Sequence, residues 1–393
     1  MVYTTPWPVA LTRPSLPPFE EFEPLLREVW ASARVANGGP FHKRLEAELA
    51  AYLDVPHVSL FANGTLALLV ALRALGVDGE VITTPYSFVA TSHVLRWSGC
   101  TPVFADIDAH SLGLDPVAVE AAITPRTRAI LPVHVYGRPC DTGALEMLAD
   151  ARGLRLIYDA AHAFGVRTNG GNLLRSGHLS VMSFHATKVF HTFEGGAIVC
   201  HDRAMKEKVD LLKNFGFKGE TEVIETGINA KMNEFQAAFG CHLLGRIDGE
   251  IAARAEIAQR YREGLAGISG VELPADMAGV ARPNHAYFPI FVKAAFPLDR
   301  DGLYRHLREH EIYARRYFHP LISDFSMYRN ASGAAHLPFA RAAADAVLCL
   351  PIFAGMTAGD CERVVGAVRA AAARAPKVAA SDRVVPRAAS AAT

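Results

Sequence analysis

Ser180–Cys200 reads SVMSFHATKVFHTFEGGAIVC. It opens on a short apolar run, Val181–Phe184, and closes on a second, Gly195–Cys200, each of a length suited to a buried strand. Between them lies one lysine, Lys188, whose neighbours are aromatic or small rather than charged. An amine held in an apolar segment is desolvated. Its pKa falls, and it becomes a candidate Schiff-base nucleophile. The same side chain can also lay its stem along an apolar wall and do no chemistry. The rest of the chain decides between the two.

Upstream, β-like runs (His57–Phe61, Glu80–Thr83, Thr101–Ala105, Ala129–Val135, Leu154–Tyr158) alternate with helix-like segments (Leu66–Leu75, Phe88–Trp97, Pro116–Ala122, Thr142–Ala151). Such alternation predicts βαβ units and a mostly parallel sheet with helices on both faces. Helical periodicity also marks the region from Phe19 and Phe41–Leu53. Downstream, Lys231–Ile247 and Gly249–Leu265 read as long helices, the first with Met232, Phe235, Phe239 and Leu243 on one packing stripe. A smaller α+β pattern follows: a strand near Tyr287–Val292 and helices at Arg300–His310, Phe339–Val347 and Thr357–Ala373. The expected organisation is an extended segment over 1–18, a large domain over 19–250, a small domain over 251–374, and a disordered Ala/Ser/Arg-rich tail over 375–393.

Composition narrows the function. The 40 basic and 40 acidic residues cancel, so no basic field draws nucleic acid. None of the six cysteines pairs as CxxC, which argues against a zinc or redox site and for a reducing compartment. The N-terminus lacks the cationic start and apolar core of a secretory signal, and no apolar run is long enough to span a bilayer. The expected location is cytoplasmic, with no membrane or nucleic-acid partner.

Four groups of residues near strand ends carry chemistry, where open α/β sheets bind ligands. Asn63-Gly64-Thr65 sits between a strand and a helix. There, free N–H groups and the helix dipole favour phosphate, or Thr65 merely caps the helix. Phe88 follows the next strand, placed to stack on a planar ring or to fill core. Asp159 ends an apolar strand in Tyr158-Asp159-Ala160-Ala161-His162. A buried carboxylate needs a cationic partner, and Leu156–His162 holds no Arg or Lys. A protonated pyridine nitrogen would serve, through a charge-assisted hydrogen bond of about 1.5–3 kcal/mol. The fourth group is the opening stretch, where Ser183 offers a second hydroxyl to a phosphate and His185 stands three residues before Lys188.

These groups run in a set order: phosphate turn, aromatic, strand-end Asp, then a lysine 29 positions later. In that order the chain resembles the fold-type-I pyridoxal-phosphate enzymes. More narrowly, it resembles the sugar-nucleotide aminotransferases of the DegT/DnrJ/StrS family over residues 10–370. The resemblance is carried by Asn63-Gly64-Thr65, Pro85–Thr91, Asp159–His162, Ser183–Lys188, Glu194–Ala197 and Gly227–Glu234. It implies a mostly parallel seven-stranded sheet sandwiched by helices, with a smaller C-terminal α+β domain. It further implies that Lys188 forms the Schiff base with pyridoxal 5′-phosphate and shuttles protons, with pyridoxamine 5′-phosphate as intermediate. Asp159 would pair with the ring nitrogen, Phe88 would stack, Gly64, Thr65 and Ser183 would hold the phosphate, and Asn63 belongs with them to the cofactor-binding set. His185 joins this cofactor-binding set. Asn229 would reach the cofactor of a neighbouring subunit, which implies a homodimer with shared sites. His162 stands where many members carry Gln, with the phenolic oxygen as its expected partner.

Pro14–Pro18, Ser183–Gly196 and Asn229–Gln236 resemble the viosamine-synthase-like subgroup, which aminates C4 of dTDP-4-dehydro-6-deoxy-D-glucose. L-Glutamate would then be the donor, and Tyr317 and His319, in Tyr317-Phe318-His319-Pro320, would be substrate contacts. The alternatives are a 3-keto sugar aminotransferase and a sugar dehydratase on the same cofactor. Members that dehydrate can carry His in place of the lysine, so Lys188 favours transamination. His306-Leu307-Arg308-Glu309-His310 matches a zinc-hydrolase pattern, but its arginines read as a solvated surface.

Overall fold

A computed structural model describes residues 8–374, apart from Ala278. The expected tail over 375–393 and the first seven residues of the expected N-terminal segment lie outside the described residues.

A seven-stranded sheet forms the centre. Its strands are β1 (His57–Phe61), β2 (Glu80–Thr83), β3 (Thr101–Phe104), β4 (Thr127–Leu131), β5 (Arg155–Asp159), β6 (Leu179–Ser183) and β7 (Gly196–Cys200). Their spatial order is β1-β7-β6-β5-β4-β2-β3. The run from β6 to β3 is parallel, while β7 is antiparallel to both β6 and β1. β2 and β7 are buried at every position, so neither strand alternates.

Helices cover both faces. On one side α1 (Phe19–Ser32), α2 (Pro40–Leu53) and the helix Glu234–Leu244 pack against β1, β6 and β7, with Leu45, Leu49, Phe239 and Leu243 in their core. On the other, α3 (Gly64–Ala74) and α4 (Ala90–Trp97) bury Leu68, Leu72, Val94 and Leu95. The stripe expected on the Lys231–Ile247 segment is only partly inward: Met232, Phe239 and Leu243 are buried, whereas Phe235 is 40 % exposed.

A second layer is built on the antiparallel strands Val271–Glu272, Phe288–Val292 and Val347–Leu350 and the helices Arg300–Glu309 and Ala358–Ala372. The helix Ile247–Leu265 links the two cores. Ile247 and Ile251 belong to the first, and Ile257, Tyr261 and Leu265 to the second. The N-terminal segment joins the second layer, where Val9 exchanges backbone hydrogen bonds with Glu311 and Tyr313.

Of the element boundaries that differ from expectation, three bear on the architecture. The strand expected to reach Val135 is regular only to Leu131: Pro132 has no N–H for a ladder, and beyond it only a single bridge, Val133 to Asp159, with the Asp159 N–H on the Pro132 carbonyl and the His134 N–H on the Asp159 carbonyl, keeps the segment on β5. The helix expected from Lys231 starts at Glu234, where Asn233 and Gln236 form a capping box. The helix expected from Phe88 starts at Ala90, which leaves Phe88 on the turn before it.

Candidate active site

The C-terminal ends of the central strands open into a cavity of about 250 Å³. Asn63, Gly64, Thr65, Phe88, Asp159, His162, Ser183, His185, Lys188 and Tyr317 all line it. Asn229 and His319 do not. Asn229 is exposed, in an isolated bridge to Asn214, and His319 turns towards Asp345 at 3.8 Å.

The anion end is built at the start of α3. Asn63 caps the helix, its Oδ1 accepting from the Leu66 N–H at 2.9 Å. The capping side chain therefore faces the helix, and Gly64 and Thr65, in the first turn whose N–H groups have no intrahelical acceptor, line the cavity together with Ser183. Glycine is required by close approach. A Cβ on Gly64 would stand 3.0 Å from Ser183 Cβ, and one on Gly196 would stand 2.7 Å from both the Asn63 carbonyl carbon and the Gly64 nitrogen. Gly196→Ala is thus expected to push the turn off β7. The strain should cost about 1–3 kcal/mol and weaken retention of a phosphorylated ligand, read by thermal melts with and without inorganic phosphate. An unchanged melt would refute the contact.

The ring region lies between β5 and α4. Phe88 is 59 % exposed at the cavity wall, unusual for a core aromatic and suited to stacking. Asp159 is 5 % exposed. Its Oδ1 accepts from the Ala161 N–H at 3.1 Å and its Oδ2 from the Thr91 hydroxyl at 2.8 Å. Both donors are neutral. Burial pushes the carboxyl above its ordinary range, and Thr91, the Ala161 N–H and Lys188 oppose that push.

The amine is on the loop between β6 and β7. Phe184 and Phe190, packed edge-to-face at 4.9 Å, anchor that loop in the core. Burial pushes Lys188 down to about 8, against the pull of Asp159. Its Nζ donates to the Tyr287 hydroxyl at 3.4 Å. His162 lies edge-on to Tyr287, and burial followed by Lys188 keeps the imidazole well below its ordinary pKa. Its Nδ1 accepts from the Tyr136 N–H at 3.2 Å, so the neutral ring carries its proton on Nε2. His185 bonds Thr187 through Nδ1 at 2.8 Å and faces Glu194 at 3.5 Å.

Tyr287, Ser87, Thr91 and Phe318 also line the cavity, and sequence reasoning gives none of them a role. Ser87 and Thr91 lie inside the Pro85–Thr91 motif, whereas Tyr287 reads only as the start of a strand. The zinc pattern dissolves. His306 Nε2 meets the Ala367 carbonyl at 3.0 Å and its Nδ1 meets Arg374 at 2.8 Å. Among the described residues no His/Cys/Asp/Glu cluster could hold a metal, and no helix is long and apolar enough to cross a membrane.

A partly neutral amine, a buried carboxylate with no cation bonded to it, a stacking ring and free helix N–H groups together fit a flat, phosphorylated, nitrogen-containing ring. Comparison with known proteins agrees. Residues 19–369 match the model of the DegT/DnrJ/EryC1/StrS aminotransferase family. The dTDP-4-amino-4,6-dideoxy-D-glucose transaminase of Shigella dysenteriae is 50 % identical over 362 residues, 92 % of this chain and 98 % of that protein. The protein of the same name from Escherichia coli is 46 % identical over 351 residues, 88 % and 94 % of the two chains. Among solved structures, DesI in the presence of its TDP-sugar product matches with a TM-score of 0.89 at 37 % identity, covering 94 % of each chain. NtdA from Bacillus subtilis with bound cofactor PMP matches with a TM-score of 0.83 at 27 % identity, over 91 % of this chain and 82 % of that one. The chain belongs to the DegT/DnrJ/EryC1/StrS aminotransferase family.

Proposed function

We propose that the protein transfers an amino group from L-glutamate to C4 of dTDP-4-dehydro-6-deoxy-D-glucose, giving dTDP-4-amino-4,6-dideoxy-D-glucose, with pyridoxal 5′-phosphate as cofactor. The observation that carries this reading is the desolvated amine of Lys188 in one cavity with the Asp159 carboxylate, whose hydrogen-bond donors are both neutral. The substrate rests on the names of the 50 % and 46 % identical relatives.

The residues fit the cofactor end to end. Gly64, Thr65 and Ser183 would hold the phosphate, with Asn63 fixing the turn. Phe88 would cover one ring face, and Asp159 would accept the ring nitrogen's proton in a hydrogen bond. His162 would donate Nε2–H to the phenolic oxygen, matching the amide donor of the Gln it replaces. When bound, pyridoxal 5′-phosphate supplies a carbonyl that takes up the amino group and a ring that holds the electron pair released at the reacting carbon. Lys188, with a pKa of about 8, is partly unprotonated near neutral pH. It would take the proton from glutamate Cα and return one to sugar C4. Tyr317, half-buried on the cavity wall, would contact the sugar.

Asn229 would complete the phosphate site of a second copy. The segment around it exposes Phe215, Phe217, Val223, Ile224 and Ile228, an apolar patch suited to a homodimer interface.

The test is to incubate the purified protein with pyridoxal 5′-phosphate, L-glutamate and dTDP-4-dehydro-6-deoxy-D-glucose. The expected products are 2-oxoglutarate and dTDP-4-amino-4,6-dideoxy-D-glucose, identified by mass and by the position of the new C–N bond. Amination at C3, or loss of water without amination, would overturn the reading.

A further inference from the structure

Ser87 and Thr91 lie one helical turn apart and bracket Phe88. Both are buried, at 5 % and 1 % exposure. Their hydroxyls are 3.0 Å apart, and Thr91 Oγ1 is 2.8 Å from Asp159 Oδ2. A hydroxyl has one proton to give, and an ionised carboxylate only accepts. The Thr91 proton therefore points at Asp159, and Ser87 must donate to Thr91. The relay runs in one direction, Ser87 to Thr91 to Asp159, across 68 residues of sequence at its second step.

Resting on the function proposed for this site, we propose that Thr91 is a positioning residue for the Asp159 carboxylate, with Ser87 behind it, setting the charge and plane that Asp159 presents to the nitrogen of a bound heteroaromatic ring. Three features carry this. Asp159 accepts from Thr91 and from the Ala161 N–H, one donor to each oxygen. Two of the roughly four lone-pair directions of the carboxylate are thus taken, and rotation about its terminal torsion is blocked. Phe88 is presented by the same turn, so ring face and ring edge are set by one segment. Finally, Thr91 is 1 % exposed, so a side chain without a donor there leaves Asp159 Oδ2 short of its one protein donor.

Thr91→Val keeps the shape and removes the donor. It should let the Asp159 carboxyl hold its proton to higher pH, the direction in which burial already pushes it. Two readouts separate positioning from packing. In the apoprotein, difference infrared spectroscopy follows the protonated carboxyl, identified by its loss in Asp159→Asn. In the loaded protein, pyridoxal 5′-phosphate dissociation is measured by absorbance. The expected result is a carboxyl titration moved up in pH and about tenfold weaker cofactor binding in Thr91→Val. Thr91→Ser should rescue both, and Ser87→Ala should give smaller changes in the same direction. On an Asp159→Asn background the Thr91→Val effect should collapse. An unmoved titration, or Thr91→Ser behaving like Thr91→Val, overturns the proposal. If Thr91→Val does not fold, Ser87→Ala decides by the same criteria. If the wild-type protein takes up no pyridoxal 5′-phosphate, the functional reading fails, while the infrared measurement on the apoprotein still decides the role of Thr91.

Discussion

Lys188→Ala is expected to abolish the visible absorption band of the pyridoxal-loaded protein and to lower kcat/KM for amino transfer by roughly 10⁴-fold or more. Among the described residues no second lysine lines the cavity to take its place, and the Tyr287 hydroxyl that Lys188 Nζ meets at 3.4 Å is held in its protonated form by burial. Lys188→Arg should be about as inactive, because a guanidinium does not release its proton at working pH. In the wild-type apoprotein, uptake of pyridoxal 5′-phosphate should quicken with pH through about 8, as the amine becomes the free base. The same shift has a stability sign. The folded pKa lies below the unfolded value of 10.5, so between the two the unfolded chain binds more protons and stability climbs with pH. Below about 8 that contribution is absent and the buried charge is a burden. Lys188→Met apoprotein should therefore melt higher than wild type at neutral pH while losing activity, the signature of a group held for chemistry. A variant that kept the band, or melted lower at neutral pH, would rule out Lys188 as the reactive amine.

Much of this site is legible in the sequence because it is local. Asn63-Gly64-Thr65, Asp159 and Lys188 each sit where an apolar run ends, and an apolar run is what a buried strand looks like in sequence. Strand order is a harder matter. β7 lies between β1 and β6 and runs antiparallel to both. Gly196 allows this by letting β7 pass the Asn63–Gly64 turn without a side chain. The partners of the reactive groups are not legible. Tyr287 meets Lys188 across 99 residues, and nothing in Asn284–Tyr287 marks a hydroxyl bound for an amine. Tyr317 and His319 show the limit of a motif. Two residues apart in one segment, they diverge, Tyr317 to the cavity and His319 to Asp345.

These long-range partners share one property: each acts through a group that the sequence does mark. Tyr287 acts on Lys188, Thr91 on Asp159, and the Tyr136 N–H on His162. The primary groups are recognisable by type and context. Those that tune them are recognisable only once the chain has closed, because their effect depends on distance and burial.

The phosphate turn has a supporting group of the same kind, and its loss should be a large stability change. Beneath β1, Lys213 Nζ lies 3.2 Å from Glu46 Oε1, 2.8 Å from Asp210 Oδ1 and 2.8 Å from the Ser59 hydroxyl. Lys206 bridges the same two carboxylates, at 3.0 Å and 2.6 Å. Glu46 also accepts the Leu60 N–H at 3.0 Å, so the cluster grips the strand that leads into Asn63. Lys213 is 6 % exposed, and removing one member of a buried charge cluster leaves the others uncompensated. Lys213→Met should destabilise the apoprotein by about 3 kcal/mol at neutral pH, measured by urea unfolding. The pH dependence is fixed in sign. Burial alone would raise Glu46 and Asp210, but the two lysines outweigh it and hold both carboxyls below their ordinary values. A depressed carboxyl stabilises the fold above the ordinary carboxylate range and loses that contribution as pH falls through its folded pKa. The gap between wild type and Lys213→Met should therefore be widest near neutrality and close in acid. A deficit that persisted unchanged in acid would assign the loss to packing against Phe61, whose ring lies 5.7 Å from the Lys213 amine, and not to charge.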